Sequence, residues 1–136
     1  MAGTFGYELD PGKLTEEEKE TIKGQVKQYK KYAHLIQTGD YYRLSNPFQD
    51  DCGAWMFVSE DGGQALVNVV MLENHGNMTV SYVKLKGLTP DVLYRDVASG
   101  KCYYGSALIE AGIPMPVEMG EYRAYQWEFA ACKEAE

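Results

Sequence analysis

The sequence predicts a mainly β protein with an N-terminal helix, an antiparallel β-sandwich preceded by a strand, a loop and that helix. Apolar residues recur every three or four positions over residues 15–38, which is the period of a helix. After Gly39 the pattern changes to short apolar or alternating stretches. Turn-forming pairs such as Gly62-Gly63 and Ser99-Gly100 separate those stretches. Several short strands joined by tight turns are typical of a sandwich or a curled sheet.

The first 39 residues are predicted to form the strand, the loop and the helix. Apolar residues alternate over Phe5–Leu9, which indicates a strand, and Asp10-Pro11-Gly12 then ends it with turn-forming residues. A helix is predicted from Thr15 to Thr38. Thr15 and Glu18 form a capping box at its start, and Gly39 is a stop signal at its end.

Residues 40–136 are predicted to form the β domain. The predicted strands are Asp40–Leu44, Ala54–Ser59, Ala65–Leu72, Thr79–Leu85, Val92–Asp96, Lys101–Tyr104 and Arg123–Phe129. We also expect a loop at Asn74–Asn77, one or two helical turns at Ser106–Ala111 and a fraying end at Lys133–Glu136. The residues expected to supply most of the core are Trp55, Phe57, Leu66, Val69, Val80, Tyr82 and Trp127.

Composition limits the classes of function. A length of 136 residues fits one domain, or one small domain with a piece of another. The net charge of -7 argues against a nucleic-acid partner. Three widely spaced cysteines, without a signal peptide or an apolar stretch of membrane-spanning length, predict reduced thiols, a cytoplasmic location and no membrane partner.

The sequence predicts no metal site and no cofactor. His34 and His75 are the only histidines, and neither has a cysteine or carboxylate at a familiar metal-ligand spacing. The glycines at 62 and 63 precede a strand rather than a helix, which does not fit a phosphate-binding loop. No serine lies in a nucleophile-elbow pattern.

Two further patterns leave alternatives open. The eleven tyrosines, together with Trp55 and Trp127, could line a sugar-binding face, because aromatic planes stack on the apolar faces of sugars. Aromatic residues are equally what strands are made of, and we favour that interpretation. Asp50 and Asp51 could act as a pair of catalytic carboxylates, but adjacent loop residues point apart, so a solvated turn is favoured.

Longer stretches resemble a known family. The N-terminal stretch Phe5–Asp10 and the later stretch Trp55–Asp61 are similar to the end of the catalytic barrel and the following domain of bacterial α-galactosidases of glycoside hydrolase family 36. The supporting stretches are Lys13–Glu18, Tyr29–Tyr32, Leu35–Gln37, Gly39–Leu44, Pro47-Phe48, Leu85–Leu88, Leu93–Arg95, Tyr104–Leu108 and Ala111–Pro114.

The resemblance implies an organisation and an activity. Residues 1–39 would be the last β/α unit of a (β/α)8 barrel, and residues 40–136 its C-terminal β domain. The family hydrolyses terminal α-galactosyl residues with retention, using two aspartates on earlier barrel strands. No stretch of this chain matches those two motifs, so no catalytic residue is assigned. Barrel active sites lie at the C-terminal ends of the strands, which would place Glu8 and Asp10 nearest the substrate, at its rim or one layer behind it. A structural role for both in the loop before the helix is the alternative.

The functional hypothesis favoured by the resemblance is a non-catalytic assembly domain of an α-galactosidase, inactive alone, whose partner is the catalytic barrel. An independent carbohydrate-binding module is the alternative, and a free-standing enzyme is the least favoured. Without neighbouring barrel strands, we expect Met1–Asp10 either to be mobile or to pair with a second copy. Such a homo-oligomer would form through Phe5, Tyr7, Ile22, Val26 and Tyr29.

Overall fold

In the computed structural model, residues 3, 5–73, 80–118 and 122–132 are described. They form one long helix, a six-stranded antiparallel sheet and a smaller layer with two short strands and a short helix. The long helix lies on one face of the sheet, and the smaller layer covers the other. Within the described ranges, no helix combines the length and the apolar character needed to cross a membrane.

The helices and strands follow one another in a simple order. A 3-10 turn at Pro11–Lys13 comes before α1 (Glu16–Thr38), and α2 (Gly105–Glu110) lies late in the chain. The strands are β1 (Asp40–Arg43), β2 (Cys52–Val58), β3 (Gln64–Met71), β4 (Tyr82–Val83), β5 (Leu93–Asp96), β6 (Cys102–Tyr104), β7 (Ile113–Pro114) and β8 (Ala124–Ala131). The predicted class, mainly β with an N-terminal helix, is confirmed.

Helix α1 begins and ends where the sequence predicts. The Glu18 N–H donates to Thr15 Oγ1 at 3.2 Å, and the Thr15 N–H donates to the Glu18 carboxylate at 2.8 Å. This capping box satisfies two amides that the first turn leaves unpaired. At the other end the Gly39 N–H donates to the Leu35 carbonyl at 2.9 Å. A Cβ at Gly39 would lie 2.6 Å from that carbonyl oxygen, so glycine is needed there for space.

The large sheet has the strand order β1-β2-β3-β8-β5-β6, and every neighbouring pair is antiparallel. Strands β1, β2 and β3 follow the chain, but the last strand, β8, inserts between β3 and β5. The β3–β8 register runs from Gln64 opposite Ala130 to Val70 opposite Ala124. The last strand of the described chain therefore lies in the middle of the sheet.

Side chains alternate between the two faces of this sheet, as the two-residue period of a strand requires. Met56, Val67 and Phe129 are buried on the face that the smaller layer covers, where the main core lies. Phe57 and Leu66, which are paired across β2 and β3, are buried on the opposite face under α1. Alternation therefore gives the sheet two cores.

The smaller layer completes the sandwich. Strands β4 and β7 form an antiparallel pair, and with α2 they bury Val83, Leu108 and Ile113 against the main core. Gly112, which joins α2 to β7, has a φ of 86°, and a Cβ there would lie 2.5 Å from the Val83 carbonyl oxygen. Because this layer has only two strands within the described ranges, the sandwich is asymmetric.

The predicted strand at Phe5–Leu9 is wrong. Those residues have no strand conformation, and the first described strand is β1. A strand needs hydrogen-bonding neighbours, and the described part of the chain supplies none on this side of α1. Instead the Phe5 ring stacks on Tyr29, with centroids 5.2 Å apart and planes 24° apart. The segment therefore contacts the long helix of its own chain, and the expected mobility or pairing with a second copy stays a prediction.

The predicted strand at Thr79–Leu85 is mostly wrong, since only Tyr82 and Val83 pair. Their partner strand contains Pro114, which has no N–H to extend the ladder. The stretch has apolar residues on both of its faces, and the structure buries Val83 and Leu85. Val80 and Tyr82, predicted core residues, are 48% and 58% exposed.

The other predicted core residues differ in how deeply they are buried. Phe57, Leu66 and Val69 are buried, whereas Trp55 and Trp127 are only partly buried. The predicted helical turns at Ser106–Ala111 are confirmed as α2. The predicted loop Asn74–Asn77, which contains His75, lies outside the described residues. So do Thr79 and the end Lys133–Glu136.

Candidate functional site

The last third of α1 is fixed on the sheet by apolar contacts. Tyr32, Leu35 and Ile36 are buried against Phe57 and Leu66. Fully burying a large aliphatic side chain contributes about 1.5–3 kcal/mol, so this small cluster is enough to hold one end of a helix. The C-terminal end of α1 is therefore packed on the large sheet.

Polar groups beside that cluster add a second attachment. The Glu128 carboxylate on β8 accepts hydrogen bonds from the Tyr32 hydroxyl at 2.8 Å, from Gln64 Nε2 at 3.1 Å and from Lys31 Nζ. Burial alone would raise the pKa of Glu128, but the hydrogen bonds from Lys31, Tyr32 and Gln64 outweigh it and leave the pKa below its usual value. Burial raises the pKa of Tyr32. The carboxylate thus joins α1, β3 and β8 as a charged acceptor.

A row of amides continues this attachment along α1. Gln28 Nε2 donates to Gln126 Oε1 at 2.6 Å, and Gln126 Nε2 donates to Asn68 Oδ1 at 2.7 Å. Asn68 is 5% exposed, and its Nδ2 is a buried donor with no hydrogen-bond partner in the part of the chain that the structure describes. The helix is thus tied to the sheet by polar as well as apolar contacts from Gln28 onward.

The first half of α1 is different. No residue of α1 before Tyr32 is fully buried, although Ile22, Val26 and Tyr29 are half-buried. We call residues 16–27 the projecting half of α1. Its apolar residues share one face of the helix, since they are spaced by four and three positions. The projecting half therefore presents an apolar face that the sheet does not bury.

The N-terminal segment lies along this same face. The Tyr29 hydroxyl donates to the Gly3 carbonyl at 3.0 Å, and the Tyr7 hydroxyl donates to Gln25 Oε1. Phe5 packs edge-on against Tyr7 and stacks on Tyr29. We call Phe5, Tyr7, Ile22, Val26 and Tyr29 the α1 face. The N-terminal segment covers the helix residues of this face only in part, because Tyr7 itself is still 41% exposed.

The two predicted substrate-proximal residues lie at the end of that segment. Glu8 and Asp10 are both exposed. Asp10 accepts a hydrogen bond from the Gly12 N–H at 3.0 Å and lies 3.8 Å from Lys13 Nζ, so it caps the turn before α1. A turn-forming role for Asp10 is therefore visible, and its predicted position at a substrate rim stays a prediction.

The remaining candidate side chains do not form a reactive group. His34 lines an open cleft of about 800 Å³ with the turn Ser59–Asp61. The Asp61 carboxylate accepts from Ser59 Oγ at 2.6 Å, and this hydrogen bond is the main reason that its pKa lies below the usual value. Over the described ranges, no three histidine, cysteine or acidic residues come together as metal ligands.

The aromatic residues do not form one binding face. Trp55 packs with the cluster under α1, whereas Trp127 packs against the main core on the opposite face of the sheet. The single sugar-binding face that both tryptophans would share is therefore wrong. Asp50 accepts from the Asn46 N–H at 2.7 Å and holds its own loop, which agrees with the favoured interpretation of a turn.

Sequence reasoning misses the polar residues that attach α1. Asn68 interrupts an otherwise apolar strand, and Glu128 lies between Trp127 and Phe129. A polar residue at an inward position of a strand usually has a specific partner, because an unpaired buried polar group is costly. A polar residue at an inward position therefore signals that a partner exists, but it does not identify the element that supplies the partner.

Two family models match this chain. Residues 53–129 match the model described as the glycosyl hydrolase family 36 C-terminal domain. Residues 1–39 match the model described as melibiase. The boundary of the second match falls at the end of α1, so α1 is matched as part of the melibiase model although its last third packs on the β domain.

Individual relatives give the same result. The chain is 53% identical over 135 residues to the bifunctional α-galactosidase/sucrose kinase AgaSK of Mediterraneibacter gnavus, covering 99% of this chain and 14% of that protein. It is 40% identical to the α-galactosidase AgaA of Geobacillus stearothermophilus, covering 98% of this chain and 18% of that protein. The chain thus spans less than a fifth of the length of these relatives.

Solved structures of relatives have the same fold. The galactosidase domain of AgaSK superposes with a TM-score of 0.89 at 51% identity, covering 94% of this chain and 18% of that one. The AgaA α-galactosidase from Geobacillus stearothermophilus superposes with a TM-score of 0.88 at 41% identity and the same coverage.

Proposed function

This chain belongs to glycosyl hydrolase family 36, and on that premise we propose that it is the non-catalytic C-terminal assembly domain of an α-galactosidase. The enzyme as a whole would hydrolyse terminal α-galactosyl residues of oligosaccharides with retention of configuration. In this proposal residues 1–39 are the last β/α unit of the catalytic barrel, and residues 40–136 are the C-terminal β domain. The relatives named α-galactosidase support the activity.

One observation carries the proposal, the division of α1 into two halves. The last third is fixed on the sheet by Tyr32, Leu35 and Ile36 and by the hydrogen bonds to Glu128. The projecting half leaves an apolar face that the sheet does not bury. A helix attached at one end and apolar along the other suits a rigid connection between two bodies. We therefore assign the partner of the α1 face as the catalytic barrel.

The chain alone is proposed to be inactive. A retaining glycosidase needs two carboxylates on either side of the scissile bond. By resemblance, both belong to earlier barrel strands that this chain does not contain. In the assembled enzyme Glu8 and Asp10 would lie at the rim of the substrate pocket. Their exposure, and the position of Asp10 in the turn just before α1, support that placement.

We further propose that the protein needs no cofactor, has no nucleic-acid partner and lies in the cytoplasm. No cofactor is required, because retaining hydrolysis uses only carboxylates and water. A net charge of -7 disfavours a nucleic-acid partner. The odd number and wide spacing of the cysteines Cys52, Cys102 and Cys132 in the sequence support a cytoplasmic location, where thiols stay reduced.

Fragment complementation tests the proposal. The galactosidase part of AgaSK from Mediterraneibacter gnavus would be cut just before the region that matches this chain and then titrated with the 136-residue chain. We expect no turnover of a chromogenic α-galactoside by this chain alone. Adding it should raise the activity of the cut enzyme about 100-fold or more, because small misplacements of catalytic groups cost that much.

A pair of variants locates the contact. Val26→Gln places a polar group on the α1 face and should lower the activation, whereas Lys27→Gln on the exposed side of the same turn should not. Equal activation by both variants would remove the α1 face from the proposal. Turnover by the purified chain alone, well above a buffer blank and constant through repurification, would overturn the non-catalytic assignment.

A further inference from the structure

A second concave site lies on the face of the sheet away from α1. It is a cavity of about 170 Å³ between the large sheet and the smaller layer. Trp127 and Tyr103 line it with aromatic rings, and Asp96, Ser99 and Lys101 line it with polar groups. Leu108 and Ile113 close its apolar base.

The cavity follows from a mismatch between two neighbouring strands. Strand β5 ends at Asp96, which lies opposite Phe129 of β8. Strand β8 extends past this pair, because it already begins at Ala124. The chain after Asp96 turns away toward β6, and the Gly100 N–H closes that turn on the Asp96 carbonyl at 2.8 Å. Trp127 therefore has no residue of β5 paired beside it, and its indole is left partly exposed. The site is built by backbone topology rather than by a loose surface loop.

The polar groups are held in place before any ligand arrives. Asp96 is 7% exposed, and its carboxylate accepts from the Ala98 N–H at 3.1 Å and from Ser99 Oγ at 2.5 Å. A carboxylate has about four acceptor positions, so two remain for a ligand. Neither Asp96 nor Lys101 makes an ion pair with another described residue. The site thus offers an oriented acceptor and an ammonium donor.

We propose that this cavity binds one pyranose unit of a neutral saccharide. An indole stacks on the apolar C–H face of a sugar ring, and the Trp127 ring is itself oriented by Tyr125, whose ring lies 6.0 Å away at 28°. Sugar hydroxyls donate to the Asp96 carboxylate and accept from Lys101. The formal charges of Asp96 and Lys101 cancel, which favours a neutral ligand.

The size of the cavity fits the same ligand. A volume of about 170 Å³ is well above the roughly 10–15 Å³ that a cavity needs to hold one water molecule, so a small organic ligand can enter it. One six-membered ring with its hydroxyls is a ligand of that order of size. A longer saccharide would therefore be held by one unit, with the rest in solvent.

The site is independent of the contact with a catalytic barrel. The α1 face lies on one side of the sheet and this cavity on the other, so the two sites share no residue. Sugar binding here would add a second contact with an oligosaccharide chain. It would exist even if the assembly role of the chain proved wrong.

Titration of the intact chain with sugars tests the inference. The two tryptophan indole N–H signals of the 136-residue chain would be followed by NMR, with Trp55, on the α1 side of the sheet, as the internal control. Galactose, methyl α-galactoside and glucose are added in turn. The final concentration of each sugar is about ten times a dissociation constant on the order of 1 mM. Mannitol, an open-chain polyol without a ring face, is the matched control ligand. We expect a saturable shift of the Trp127 signal with at least one pyranose and no shift of the Trp55 signal.

Variants separate a site from a general solvent effect. Lys101→Ala, at an exposed position, should weaken binding about tenfold, because it removes a charged donor. Lys84→Ala, an exposed lysine that does not line the cavity, should leave the dissociation constant unchanged. If no pyranose moves the Trp127 signal, the inference is overturned. Equal shifts with mannitol, or equal binding by both lysine variants, would overturn it as well.

Discussion

At the level of single residues, charge strengthens the attachment of α1 where the apolar contact is small. The Glu128 side chain is 11% exposed and accepts three hydrogen bonds, from Lys31, Tyr32 and Gln64. Glu118 also pairs with a cation, Arg123, at 2.9 Å, but both side chains are about half exposed. Solvent screens that second pair. The two glutamates therefore form a natural comparison between a linking carboxylate and a surface one.

We predict that Glu128→Gln lowers the free energy of unfolding by about 1 kcal/mol, because it removes a charged acceptor from two donors on α1. Lys31 is half-exposed, which limits the loss through screening. Glu118→Gln should change the free energy of unfolding by less than about 0.5 kcal/mol. Urea unfolding at neutral pH measures both. Equal effects of the two substitutions would show that the Glu128 network contributes no more than a surface pair.

The effect of Glu128→Gln should also depend on pH. Hydrogen bonds hold the pKa of Glu128 in the folded protein below its ordinary value of 4.5. A lowered folded pKa gives stability that is fully present above the unfolded pKa and is lost as the pH falls through the folded one. The stability difference between the wild-type protein and Glu128→Gln should therefore be largest at neutral pH and shrink below about 4.5. A difference that grew on acidification would contradict the network.

Two glycines give opposite predictions for the same substitution. Gly112 has a φ of 86°, and a Cβ there would meet the Val83 carbonyl oxygen at 2.5 Å. Gly112→Ala should therefore destabilise the protein by at least about 1 kcal/mol. Gly24 lies within α1, and a methyl group added there would meet no other atom within 4 Å. Gly24→Ala should therefore stabilise the helix by about 0.5–1 kcal/mol. Thermal unfolding followed by circular dichroism checks both signs.

At the level of elements, the N-terminal segment shows how a strand pattern depends on its neighbours. Phe5, Tyr7 and Leu9 alternate as strand residues do, but in the described chain they lie beside a helix and pair with no strand. The Phe5 ring then packs on Tyr29 instead. The conformation of this segment is thus set by what lies beside it.

We predict that Phe5→Ala releases the segment from α1. The substitution removes the stacking on Tyr29 and the edge contact with Tyr7, which together are worth about 1 kcal/mol. Hydrogen exchange of residues 5–9 should become faster, while exchange in β3 and β8 should be unchanged. Leu9→Ala, at a residue 47% exposed, is the control and should have little effect. Unchanged exchange in Phe5→Ala would mean that the ring contacts do not hold the segment.

The elements that the sequence predicts well are those whose signals are local. The capping box of Thr15 and Glu18 and the stop at Gly39 lie within a few residues of the ends of α1. The insertion of β8 between β3 and β5 cannot be predicted in this way, because it joins residues about sixty positions apart and several pairings satisfy the same alternation. The role of Glu128 escapes sequence reasoning for the same reason, since its partner Tyr32 is distant in sequence.

At the level of the whole molecule, the two faces of the sheet have different tasks. One face carries α1, whose first half presents Ile22 and Val26 beyond the sheet. The other face carries the main core and the cavity beside Trp127. The proposed assembly and the proposed sugar site therefore use opposite sides of one scaffold and can be tested separately.

Hydrogen exchange of the chain with and without a catalytic barrel tests the assembly role most directly. The barrel is the galactosidase part of AgaSK, cut before its matching region. We expect amides in residues 16–27 to become strongly protected when the barrel is added, while those of α2 and β7 do not change. Complex formation with protection confined to α2 and β7, or no complex at all, would contradict the claim that α1 docks the β domain to the barrel.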